Sequence, residues 1–149
     1  MKFRLILLLF STLFFSTHFV MADEDKEEAR PEVRLTAAKK ILLEKTQISL
    51  IYVKGLVCPS CAIGIRKNLS KMKGVDKKRF KDGIDMNPES QLVTIALKDG
   101  AELDNKDLIE RVVDAGYFAV EEYRLHESHL DAHQFKRDAT IEVVHHTHK

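Results

Sequence analysis

The spacing of apolar positions changes along the chain, and the changes divide it. From Leu5 to Phe15 almost every residue is apolar, behind the basic residues Lys2 and Arg4. A charged run, DEDKEEAR, follows. Ala37, Ala38, Ile41 and Leu42 then make a loose helical stripe up to Lys45, with Pro31 placed for the first turn of that helix. In QISLIYVKGL the alternation becomes strand-like: Ile48, Leu50 and Tyr52 share one face, Ile51 and Val53 the other. Gly55 and Pro59 interrupt it. A helix is expected from about Ser60 or Cys61, because Ala62, Ile65, Leu69 and Met72 recur at spacings of three and four, with Gly74 as its stop.

The second half repeats this order. Phe80, Ile84 and Met86 fall at even spacing and predict a second strand, with Gly83 at a bulge. NPES is a turn, QLVTIALK a third strand, and Asp99 with Gly100 ends it. Asp104 suits a helix cap, and Asp107 is a weaker version of the capping box. Leu108, Val112 and Ala115 form one row of that helix and Ile109 and Val113 another, before Gly116. FAVEEYRL is a fourth strand. Strand, helix, strand, strand, helix, strand is two split βαβ units. It predicts an α+β, ferredoxin-like sandwich: a four-stranded antiparallel sheet with two helices on one face. Residues 126–149 lie outside this plan, and TIEVVHHTHK fits either an added strand or a tail.

The first apolar run reads as a secretory signal peptide with cleavage after Ala22. The alternative is a membrane anchor over residues 5–20, but the run is short against the about 20 residues that a span needs. The expected organisation is a signal peptide at 1–22, a charged leader at 23–46, a domain at 47–125 and a histidine-containing extension at 126–149. Cleavage removes Lys2 and Arg4 and no acid, so the formal charge goes from +1 to −1. A near-neutral chain gives no electrostatic case for nucleic acid. A monomer in the periplasm is the expectation.

Export gives the two cysteines, Cys58 and Cys61 in GLVCPSC, an oxidising setting. A disulfide across so short a loop restrains little of the unfolded chain, roughly 2 kcal/mol, which makes it a weak staple. The pair stands at a helix start, where unpaired N–H groups favour thiolate, and Lys54 and Arg66 are near in sequence. Two soft thiolates without an adjacent hard ligand suit Cu(I) or Hg(II) better than Zn(II), which wants four ligands. A thiol-disulfide redox protein using CPSC is the alternative. Against it, the chain has no Trp before the first cysteine, and its only later proline, Pro88, lies in a polar turn. No phosphate loop and no metalloprotease motif is present, so an enzyme is not expected.

Residues 47–124 resemble the heavy-metal-associated domain family of copper chaperones, copper-ATPase metal modules and exported mercury-binding proteins. Gly55, Cys58 and Cys61 match its loop, and Ile65, Leu69, Gly74 and Val75 follow in its register. DAGY, residues 114–117, resembles its loop after the second helix. The resemblance implies that Cys58 and Cys61 are the metal ligands and that Cys58 is the more exposed. It also implies transfer by thiol exchange to a metal-transporting membrane protein or another thiol protein. Tyr117 is implied behind the ligands, and Leu56, where the family usually has Met, as a core residue beneath the loop. Three features depart from the pattern: Leu56, Pro59 between the cysteines, and a longer stretch from Gly74 to Ile84. His145, His146 and His148 are candidates for a second metal site, since imidazole suits Zn(II), Cu(II) or Ni(II). The triplet Asn68–Ser70 fits a glycosylation sequon but falls inside a predicted helix.

Overall fold

A computed structural model of the chain describes residues 28–60, 62–136 and 141–144. The expected signal peptide, Cys61, and His145, His146 and His148 lie outside the described residues.

The predicted order is present. Strand β1 (Ile48–Lys54) leads to helix α2 (Ala62–Leu69), strands β2 (Ile84–Asn87) and β3 (Leu92–Ala96), helix α3 (Asn105–Asp114) and strand β4 (Phe118–His126). Preceding them is helix α1 (Pro31–Glu44); following them are β5 (His129–Phe135) and β6 (Ile141–Val144). The sheet order is β2-β3-β1-β4-β5-β6, antiparallel at every junction. Its first four strands are the ferredoxin-like core. Among the described residues the sheet is thus two strands wider than the four expected.

The alternation in β1 sorts the interior into two layers. Ile51 and Val53 pack with Ile65, Leu69, Leu108 and Val112 of α2 and α3. Leu50 and Tyr52 point the other way and pack with Ala38 of α1 and Tyr123 of β4. Period-two burial on both sides explains why β1 has five consecutive buried residues. The two expected helices share one face, and α1 covers the other.

Helix α1 is held at both ends by long cationic side chains. Near its start the Arg34 guanidinium stacks 3.7 Å from the centre of the Tyr52 ring, and its Nε donates to the Tyr123 hydroxyl at 3.1 Å. The same hydroxyl donates to Glu121 at 2.5 Å. At its end Lys45 meets Asp85 of β2 at 2.8 Å. A stacked guanidinium keeps its charge while covering apolar ring surface, so α1 docks without a strong apolar stripe of its own.

Three local expectations are corrected. Phe80 is not in the second strand: it sits in a turn at φ +52, between Lys45 and Arg79, and β2 begins at Ile84. Gly83 is the turn residue before β2, not a bulge. Its φ is +84, and a Cβ there would meet Val75 Cγ1 at 2.4 Å, so only glycine fits. The register shift instead lies between Tyr52 and Val53 of β1 against β4. Helix α2 stops at Leu69, and Met72 stays in the core through turns in which the Met72 N–H donates to Leu69 O.

Candidate metal centre

The cysteine loop hangs from the end of β1 and is tied at its root. The Val53 N–H donates to the Gln91 carbonyl at 3.0 Å, and the Leu56 N–H donates back to the Val53 carbonyl at 3.4 Å. Leu56 is fully buried beneath the loop. It joins the layer of Ala62, Ile65 and Leu69, and an unbranched Met would fill much the same volume. Beyond Leu56 the chain turns outward: Val57 and Cys58 are half-buried, Pro59 and Ser60 exposed. The Ser60 carbonyl accepts from the Ile63 N–H at 3.2 Å and so begins α2. Pro59 has no N–H, and at this outward bend none is required.

Cys58 is disulfide-bonded, and Cys61, outside the described residues, is the other cysteine of the chain. A sulfur without a proton only accepts, so the Ser60 hydroxyl donates to Cys58 Sγ across 3.1 Å. The sequence reading did not find that contact. The only signal for it was a hydroxyl inside the CxxC.

Tyr117 reaches the loop through the end of α3. Asp104 caps the helix start by accepting from the N–H groups of Lys106 and Asp107 at 2.8 and 3.1 Å. Asp107 does not close a capping box; it pairs with Arg111 at 2.8 Å, one turn on. At the far end the Gly116 N–H donates to Val113 O at 2.8 Å and the Tyr117 N–H to Val112 O at 3.1 Å. With Gly116 at φ +86 this is a Schellman ending. Such an ending sets the next side chain back against the helix, and Tyr117 packs on the layer that holds Leu56. The Tyr117 ring lies over Gly55.

The charges near the loop differ from what their sequence positions imply. Lys54 pairs with Glu28 of the leader at 2.7 Å, and this hydrogen bond raises the lysine and lowers the carboxyl relative to their ordinary pKa values. Its charge therefore faces Glu28. Arg66 has a buried Nε with no hydrogen-bond partner among the described residues. The loop residues Gly55, Leu56, Val57, Pro59 and Ser60 include no carboxylate or imidazole. Among the described residues no group of three or more His, Cys, Asp or Glu side chains is placed to hold a metal. The side chain of Asn68 donates to Arg111 O at 3.3 Å, so the sequon amide serves the contact between α2 and α3.

Residues 50–118 match the sequence profile described as Heavy-metal-associated domain. No curated protein and no solved structure gives a significant match to the chain.

Proposed function

Because residues 50–118 belong to the heavy-metal-associated domain family, whose modules bind heavy-metal ions, we propose that this chain is an exported carrier of a soft metal ion. It holds Cu(I) or Hg(II) between Cys58 and Cys61 and hands the ion to a metal-transporting membrane protein or another thiol protein. It works as a periplasmic monomer, after removal of residues 1–22, and catalyses no reaction.

The observation that carries this reading is the placing of Cys58. It is half-buried on a loop with no hard ligand, at the edge of a rigid core and two residues from the exposed Ser60. Low coordination by thiolates suits a soft monovalent or linear-binding ion, and partial exposure lets an incoming thiol attack. The disulfide must first be opened. A reducing dithiol supplies two electrons and two protons, which gives two Cys thiols and an oxidised donor. Metal binding then releases the thiol protons. Tyr117 and Leu56 hold the loop from beneath while ligands exchange above it.

The test is competitive titration of the reduced protein with Cu(I), Hg(II) and Zn(II), with metal content read by mass spectrometry. One equivalent of Cu(I) or Hg(II) is expected, with weak Zn(II) uptake, none in the oxidised protein and none after Cys58→Ser. Uptake that survives Cys58→Ser overturns the reading. The disulfide gives a redox role one supporting observation, and insulin reduction at catalytic turnover would favour it. Export is checked by fractionation and by a mature mass beginning at Asp23.

A further inference from the structure

Charge is unevenly spread along the chain. Residues 62–82 hold eight basic and two acidic residues, a net +6. Without residues 1–22 the chain carries −1 in all, so the rest of it sums to −7. Near-neutrality thus hides a strong asymmetry, which orients a molecule before an oppositely charged surface.

The cations gather on the outer side of α2. Its inner side is Ala62, Ile65 and Leu69, packed in the core. On the outer side Ile63 and Lys67 lie one turn apart, and Lys71 continues their row in the turn that follows. Arg66, Lys81 and a single acid, Asp82, line the same open depression. Among the described residues none of these four cations makes an ion pair, and all three lysines are exposed. Four cations against one acid leave the depression at +3.

One residue of the row is not charged. Ile63 is 64 % exposed, although the helix could have turned any polar side chain outward there. Pro59, exposed on the cysteine loop, precedes it by four residues, at the same end of α2. A branched aliphatic side chain held out among lysines gains nothing from water or from the carboxylates of an acidic protein. At a lipid surface it enters the acyl boundary, while the lysine amines stay level with the phosphates and their methylene stems follow it down.

We propose that the outer side of α2, Ile63 with Arg66, Lys67, Lys71 and Lys81, docks on an anionic phospholipid surface. Ile63 is in the first turn of α2, directly after the cysteine loop, so docking sets that loop at the bilayer. What this gains the protein rests on the proposed function: a carrier held in the plane of the membrane searches two dimensions for its transporter. The attachment itself needs no metal, so its failure would leave the metal reading standing.

The experiment uses metal-free protein from Asp23, because the apolar residues 1–22 would bind a bilayer by themselves and every described element lies after them. Flotation with vesicles of phosphatidylcholine and phosphatidylglycerol should show attachment that falls as salt rises, and vesicles of phosphatidylcholine alone should show none. Each lysine near an anionic surface is worth about fivefold in affinity, so Lys67→Glu with Lys71→Glu should weaken attachment by at least about tenfold. The same charge change on the opposite face of the sheet, Lys39→Glu with Lys40→Glu on α1, should cost no more than about twofold. The chain has no Trp, so Ile63→Trp is a lone reporter. Its emission should shift to the blue on anionic vesicles and not with polyglutamate. Far-ultraviolet circular dichroism checks that each variant folds. No attachment to anionic vesicles overturns the proposal. So does an equal loss from the α1 pair, attachment without the blue shift, or polyglutamate bound as tightly as vesicles, which would assign the ridge to an acidic protein.

Discussion

A Cβ placed on Gly55 would lie 3.5 Å from Cδ1 of Tyr117, so the ring covers the backbone at the root of the cysteine loop with space for no more than a methyl between them. The ring is brought there by the ending of α3, and the loop thereby takes its position from the second helix as well as from β1. Tyr117→Phe keeps that packing and should leave stability within about 0.5 kcal/mol. Tyr117→Ala removes a half-buried ring and should cost about 2–3 kcal/mol in urea unfolding, less than truncation of a fully buried aromatic. It should also raise hydrogen exchange at the Leu56 amide.

Leu56 separates packing from chemistry. Leu56→Met restores the residue usual in the family and should cost less than about 1.5 kcal/mol. Leu56→Ala opens a cavity in a site with no exposure and should cost about 2–5 kcal/mol. Chemical denaturation measures both. Equal losses from the two changes would show that side-chain volume is not what matters at this position.

Gly83→Ala should be among the most damaging small changes in the domain. The new methyl would face Val75 Cγ1 at 2.4 Å and the Asp76 carbonyl oxygen at 3.0 Å, in a backbone conformation that disfavours any side chain. Left-handed strain of about 1–2 kcal/mol and overpacking of about 1–3 kcal/mol add to roughly 3 kcal/mol. Val75→Ala removes Cγ1, so the double variant should recover part of the loss, which a double-mutant cycle measures.

The Arg34–Tyr123–Glu121 cluster makes stability sensitive to alkaline pH. Burial, then the hydrogen bond to Glu121, raises the Tyr123 phenol above its usual range; burial also raises Tyr52. A phenol that keeps its proton longer when folded gives its full contribution below about pH 10. Above that the unfolded chain binds fewer protons, and stability falls as pH rises. Thermal melting between pH 8 and 11.5 should show the decline, and Tyr123→Phe should make it shallower. At neutral pH the same change leaves the buried Glu121 carboxylate without that donor and should cost about 1–3 kcal/mol.

The core elements were legible because their burial is periodic. Ile65 and Leu69, Leu108 and Val112, and the two faces of β1 all bury as their spacing predicts. Asp104 caps its helix as its type and position indicate. The β4–β5 hairpin was not legible, since Glu127 and Ser128 take positive φ without the Gly or Asn that normally announces such a turn. Phe80 misled by parity: it fits the spacing of Ile84 and Met86, but the Gly83 turn intervenes. Helix α1 was visible as a stripe, but its docking rests on the stacking of Arg34 on Tyr52, which no apolar pattern records. In the loop, the burial of Leu56 was implied by the family resemblance, whereas the Ser60 hydroxyl on Cys58 and the pairing of Lys54 with Glu28 depend on geometry.

The strand that carries the loop is flanked by β3 and β4 and sandwiched between helices on its two faces. Segments so enclosed open only when the whole molecule does, while a loop beyond them fluctuates at little cost. In a native-state exchange experiment the amides of Ile51 and Val53 should report global unfolding, and those of Val57, Cys58 and Ser60 local motion alone. On the proposed function, an ion is taken up and released at the loop while the body of the protein stays closed.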